Sequence, residues 1–466
     1  MEPERLSQVL SSLLSRGGSF ADIFLEETEL TSILCEDDKI EHIVSGRERG
    51  AGLRLIKDFQ TFYASTTDLR LARLQELARS LADQPPTFDP APPLPPLEPE
   101  PAPWSHSLRI SPEEVSLEEK VRMVMRANAA ARSVDPRIRQ VKVSYREGFR
   151  RLCIVHSQGR FCQEERPGLL FAVQVVAAQD GLIQTGYEVA GGTVGMEIFA
   201  ESPPEAVAEK AARRAVQMLQ AAPAPAGPMT VVLSSEAGGT MIHEAVGHGL
   251  ESDLAREGLS VYSGRRGEAI ASPLITVVDD PTLPGRRGSY VFDDEGCPSR
   301  RTVLIEKGVL RDYLYDRLHA LKDGRDSTGH GRRQSFQHRP LPRMSNTLIL
   351  PGSTDPAEIV RSVSSGLLVK KMGGGQVNTV NGDFVFEVSE GYRIENGQVG
   401  EPVRGATLIG NGPRILQEID MVGSDLGFGL GTCGKDGQGA PVSDGQPTLR
   451  LPRIIVGGVG GSGLSI

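Results

Sequence analysis

The stretch Ala221-Ala-Pro-Ala-Pro-Ala-Gly-Pro228 runs directly into Met229-Thr-Val-Val-Leu233 and soon into Gly238-Gly-Thr-Met-Ile-His-Glu-Ala-Val-Gly-His-Gly249. Prolines and small residues in the first piece end a strongly helical segment. The apolar five that follow read as a strand, and the third piece is compatible with a helix. A break, a strand and a helix in that order mark the start of a new unit. The 466-residue chain therefore reads as two domains, 1–224 and 225–466.

The helix-compatible piece also carries chemistry. His243 and His248 are imidazoles of the kind that zinc takes as ligands, and Glu244 sits beside one of them, as the general base does in helical metallohydrolase motifs. The spacing is HExxxH, one residue longer than HExxH. On an ideal helix, positions five apart diverge by about 140°, against about 40° for positions four apart. A widened turn of the π type would return both imidazoles to one face, and Gly247 would ease that distortion. Without a metal, the same residues read as two hydrogen-bonded histidines of a core or surface helix.

A catalytic zinc takes three protein ligands and leaves its fourth position to water. No His, Asp or Glu follows at the spacing of the longer metzincin pattern. The zinc-seeking residue in the most suggestive setting is Cys433, within Gly429-Leu-Gly-Thr-Cys-Gly-Lys-Asp-Gly-Gln438. Its glycine neighbours and Lys435 also suit an activated thiolate, so a nucleophilic Cys433 stands as an alternative to a ligand. No Gly-x-Ser-x-Gly elbow occurs, which weighs against a serine hydrolase.

Three blocks carry a resemblance to a known family. His243-Glu-Ala-Val-Gly-His-Gly-Leu-Glu-Ser-Asp253, the segment Gly329-His-Gly-Arg-Arg through Met344-Ser-Asn-Thr347, and Gly431-Thr-Cys-Gly-Lys435 resemble, in order and separation, the signature blocks of the TldD/PmbA metalloproteases. The resemblance spans nearly the whole chain. It implies a cytoplasmic peptidase with one divalent metal per chain, zinc first and iron second, held by His243, His248 and Cys433, with Glu244 as general base. The intact HExxxH implies the catalytic branch, paired in a dimer with a TldE/PmbA-like sister subunit, or as a homodimer, around unfolded peptide substrates. His330, His338, Arg339 and Arg343 lie in the middle block and receive no role; Glu251 and Asp253 are candidates to orient the imidazoles. The competing reading from another class is a metal-stabilised scaffold, against which Glu244 argues, since a structural zinc needs no base beside its ligand.

Composition agrees with such a protein without naming it. A formal charge of −9 opposes a nucleic-acid binder driven by phosphate contacts, and 39% apolar residues suffice for two cores. The acidic start Met-Glu-Pro-Glu is unlike a signal peptide, and no apolar run approaches a membrane span, so neither secretion nor a membrane is expected. Five scattered cysteines, Cys35, Cys153, Cys162, Cys297 and Cys433, suit a reducing compartment.

The first half reads as α+β, with helices on a mostly antiparallel sheet. Leu6, Val9, Leu10, Leu13 and Leu14 recur at helical spacing, as do Ala206, Ala208, Ala212, Val216 and Leu219. Residues 20–64 read as strands; a helix is expected over 112–131, capped by Ser111 with Pro112 and Glu114, then strands at 139–146, 150–157 and 169–178. Ten prolines within 85–103 predict a stiff polyproline connection. The second half is expected to be strand-rich, with hairpins at 303–310 and around Asn396-Gly397 and short helices starting at Asp355-Pro356 and within 412–421. Gly458-Val-Gly-Gly-Ser-Gly463 matches GxGxxG, yet too few residues follow it for the helix that a dinucleotide site needs.

Overall fold

Long alternating strands build the first half around one sheet. Phe20–Glu36, Lys39–Lys57, Gln60–Thr66, Ile138–His156, Arg160–Gln179 and Leu182–Gly192 pair antiparallel, and Glu98–Pro99 adds a short parallel rung at Arg160–Phe161. The structure, a computed structural model of the α+β class, describes residues 2–84, 91 and 93–458. Helices Pro3–Leu13 and Leu71–Ala82 pack together, and Leu6, Val9, Leu10 and Leu13 share an apolar cluster with Leu53, Leu55 and Leu74. Helices Leu117–Ser133 and Pro204–Gln220 cover a second cluster with Val141, Tyr145, Phe171 and Val173.

Several expected boundaries shift for identifiable reasons. The helix begins at Leu117, because Ser116 accepts from Glu119 N at 3.2 Å; Ser111 caps only a single 3₁₀ turn, Pro112–Glu114. The strands expected at 139–146 and 150–157 are one, since Gly148 keeps register with Leu30 on one side and Gly168 on the other. Ala206 faces solvent, and Val207 and Ala211 complete the buried stripe instead. Part of the proline tract, 85–90 and 92, lies outside the described residues, as does nearly all of the GxGxxG segment. The remainder of the tract docks on the sheet, with Glu98 N donating to Gly159 O and Glu100 N to Phe161 O. A proline there sits on an edge, where no ladder donor is lost.

The second half holds two large sheets besides the short pair Gly331–Arg332 and Leu341–Pro342. In the first, Ser365–Val377, Gly227–Leu233, Leu449–Gly457, Thr407–Asn411 and Asp383–Glu395 follow one another, and pairing of Ser365–Val377 with Asp383–Glu395 closes the five into a ring. The second runs Val309–Leu310, Thr302–Glu306, Val277–Asp279, Asn346–Ile349, Gln438–Gln446, Gly427–Lys435, with Gly427–Lys435 at the edge. Both expected hairpins form; Asn396 and Gly397 have φ of 52° and 74°, as a primed turn requires. Asp355 caps helix Pro356–Arg361, and Gly412–Glu418 is the other short helix. No helix among the described residues is long and apolar enough to cross a membrane.

One helical segment, 240–250, threads the core of this half. Met241, Ile242, Val246 and Leu250 are at most 2% exposed and join one cluster with Val231, Leu233, Val277 and Val442. Burial of each such side chain contributes about 1.5–3 kcal/mol, so tertiary packing fixes a segment too short to hold itself helical.

Candidate metal centre

The segment enters its helix at a close crossing of backbones. Gly239 N donates to Asp444 O at 2.9 Å, and a Cβ on Gly239 would stand 2.5 Å from Gly445 N, so only glycine fits. After one turn, Thr240–Ile242, residues His243–Gly247 form a π turn, and His248–Leu250 a 3₁₀ turn. The wide turn offsets the five-residue spacing, leaving the two imidazole centroids 5.1 Å apart with planes at 89°. Gly247 serves differently from expectation. Its φ of −54° is ordinary, but a Cβ there would lie 1.9 Å from Met344 Sδ; the glycine admits the methionine.

Each imidazole is held from behind by a carboxylate. His243 Nδ1 meets Asp444 Oδ1 at 2.7 Å, and His248 Nδ1 meets Glu251 Oε2 at 3.0 Å. With Nδ1 donating, both Nε2 atoms turn toward Cys433, and loss of a proton there frees each lone pair for a metal. Cys433 Sγ stands 3.4 Å from His248 Nε2, and donor atoms of His243, His248 and Cys433 lie within 4.8 Å of one another. Zinc bond lengths put ligand atoms about 3–4 Å apart around a tetrahedral ion, so small side-chain movements fit this set to such a metal. The sulfur, two imidazoles and two supporting carboxylates are also the donor chemistry that a zinc or ferrous ion takes.

The electrostatics separate charge across the cluster. Burial raises the Cys433 thiol, but hydrogen bonds and charge from His243 and His248 outweigh it and bring it down to about 6. Burial lowers His248, yet the charge of Glu251, with Cys433 helping, lifts it to about 10; His243 is likewise raised well above its usual value, by Asp444 against burial. Glu251 is fully buried and still held at about 2, because Lys435 and His248 override its burial. Glu244 is half-buried and takes no partner among the described residues.

A second layer fixes the strand that bears the thiol. Lys435 Nζ reaches Glu251 at 3.0 Å, Asp253 at 2.7 Å and Pro342 O at 3.2 Å. Arg343, fully buried, donates to the carbonyl oxygens of Cys433 and Gln438. Asp253 thus holds Lys435 rather than a histidine. His330 is buried away from the cluster, between Asp279 and Thr328 at 2.9 Å each; His338 bonds Ser335, and Arg339 is exposed. The residue that sequence reasoning missed is Asp444. A ligating histidine demands an acceptor, but a separation of 201 residues concealed which one.

Comparisons with known proteins find relatives along nearly the whole chain. Models of PmbA/TldA metallopeptidase domain 1, central domain and C-terminal domain match residues 21–84, 110–219 and 226–458. The chain is 36% identical over 476 residues to a Haemophilus influenzae protein named metalloprotease TldD homolog, covering 98% of this chain and 97% of that one. A Saccharolobus solfataricus protein named zinc metalloprotease TldD homolog is 29% identical over 342 residues, 73% and 76% of the two chains. The fold is similar to TldE from Thermococcus kodakarensis, with a TM-score of 0.79 at 18% identity over 97% of this chain and 99% of that chain.

Proposed function

The chain belongs to the PmbA/TldA metallopeptidase family, and from that premise we propose that it cleaves unfolded or extended peptides at one divalent ion held by His243, His248 and Cys433. Zinc is the first choice of ion and iron the second. The observation that carries this reading is the convergence of two carboxylate-backed imidazoles on one thiol. An ion held there would supply Lewis acidity toward the scissile carbonyl and water. Glu244 accepts the water's proton and returns it to the leaving amine. Asp444 and Glu251 fix the orientation of both imidazoles, turning each Nε2 toward Cys433, while Lys435 and Arg343 hold the thiolate strand in place.

An extended substrate is supported by the strand Gly427–Lys435, which carries Cys433 and lies at a sheet edge, where a peptide backbone can add a further strand. The proposed organisation is two domains, 1–224 and 225–466, the second carrying every site residue. The proposed assembly is a dimer with a TldE/PmbA-like sister subunit, or a homodimer. Val385, Ile409 and Ile455 support a protein contact: they are neighbours across three strands and are 48%, 38% and 54% exposed. A cytoplasmic location is supported by five cysteines that are all unpaired, and no nucleic acid is expected.

A second reading, Cys433 as nucleophile, is favoured by one observation, a thiol brought down to about 6 beside His248. It leaves the carboxylate-backed His243 without a purpose. Glu244→Gln tests the proposal: it should keep its metal while peptide hydrolysis falls by orders of magnitude, and near-normal turnover would remove Glu244 from the chemistry.

A further inference from the structure

Cys433 and Thr432 point to opposite faces of the edge strand, the first buried toward the histidines and the second exposed. Thr432 lines a cavity of about 320 Å³ between the N-terminal sheet and the C-terminal half. Five arginines line it, Arg146, Arg150, Arg166, Arg287 and Arg332, against a single carboxylate, Glu147. Glu147 is committed to Lys120 at 2.6 Å and to Tyr145. Arg150 pairs with Glu26 at 2.8 Å, and Arg166 with Glu164 at 2.9 Å and Asp294 at 3.2 Å.

The other three arginines form no ion pair among the described residues. Arg287 donates from its side chain to Gly431 O at 3.1 Å and Thr432 Oγ1 at 3.2 Å; Arg332, 4% exposed, donates to the carbonyl oxygens of Met344 and Pro441. Arg150 Nη2 is buried with no partner. Burial and the charges of Arg332 and Arg146 pull Arg287 below its ordinary value. Like charges facing one another in a partly desolvated cavity are a standing cost that an anion would offset.

The cavity has room for one. Gly148 and Gly168 pair across its floor, and a Cβ on Gly168 would meet nothing nearer than Gly148 O at 4.0 Å. Leu30, Pro167 and Leu170 supply an apolar rim. We propose that this cavity binds a small oxyanion, a carboxylate or phosphate group, clamped by Arg146 and Arg287 in the planar geometry that guanidinium groups favour. The group arrives either as the C-terminal carboxylate of a peptide or as a free ion; only the first source rests on the peptidase reading. Through Arg287 the bound anion would stiffen Gly431 and Thr432, directly before Cys433.

Calorimetric titration of the full chain with inorganic phosphate, and of Glu244→Gln with hexa-alanine as free acid and as C-terminal amide, tests this. Arg146→Gln, an exposed change, Arg287→Gln, and Gly168→Glu, which brings a carboxylate into the cavity, are titrated in parallel. The expected result is anion binding at least tenfold weaker in all three. Acid preferred over amide by tenfold or more assigns the site to a peptide terminus; phosphate binding with acid and amide alike assigns it to a free ion. No phosphate binding together with equal acid and amide affinities overturns the proposal, as does binding that all three variants leave unchanged. Since neither titration needs turnover, the absence of both phosphate binding and an acid preference in an active enzyme sinks the anion site alone, and phosphate binding by an inactive one sinks the peptidase reading alone.

Discussion

His243 Nδ1 and Asp444 Oδ1 lie 2.7 Å apart across 201 residues, and this one hydrogen bond decides which imidazole nitrogen faces Cys433. The acceptor comes from the strand next to that of the thiol, so neighbouring strands at one sheet edge present both a proposed ligand and the residue that aims another. Asp444→Ala frees the ring to rotate and to exchange tautomers. Metal affinity should fall by about 10–100-fold with the fold retained, as measured by competition with a chromophoric chelator.

Proton release should accompany metal binding. In the metal-free protein His248 titrates at about 10, so it is protonated at neutral pH, while Cys433 at about 6 is already mostly thiolate. A metal needs neutral imidazole and expels that proton. The free protein then holds more protons than the loaded one, so affinity rises with pH through the window below about 10. Zinc titrations at pH 7.5 in buffers of different ionisation enthalpy should show net release; no buffer dependence would contradict the imidazolium–thiolate arrangement.

Gly247→Ala forces a methyl group against Met344 Sδ. The overpacking should cost about 1–3 kcal/mol in urea unfolding and loosen the metal, since the π turn shifts with it. The double variant Gly247→Ala/Met344→Ala should recover metal retention relative to Gly247→Ala alone. A neutral Gly247→Ala would mean that the turn has slack the packing does not suggest.

Lys435→Met removes the cation shared by Glu251 and Asp253, whose side chains are 0% and 17% exposed. Buried Glu251 and half-buried Asp253 lose their shared cation, and destabilisation of about 3–5 kcal/mol is expected from chemical denaturation. A loss below 1 kcal/mol would show that Arg343 and water suffice for Glu251.

The sequence carried the local chemistry of the site and little of what supports it. HExxxH at a spacing no α-helix tolerates pointed to a π turn, and the turn is there at His243–Gly247. Turn and cap signals at Asn396-Gly397 and Asp355-Pro356 were legible because one or two residues determine them. Asp444, Lys435 and Arg343 acquire their places only when distant strands pair, and no periodicity encodes that. The five-stranded ring was hidden for the same reason: its closure rests on Ser365–Val377 meeting Asp383–Glu395 through a bulged register around Lys371 and Met372. The expected strands 139–146 and 150–157 err in the opposite direction, since residues 147–149 sit within an unbroken ladder.

His243, His248 and Cys433 are proposed to hold one metal ion. Elemental mass spectrometry on the purified chain beside Cys433→Ser tests this proposal most directly. About one zinc or iron per chain is expected, falling sharply in the variant. Wild-type protein without metal after anaerobic reconstitution, or Cys433→Ser protein that keeps its full complement, would contradict it.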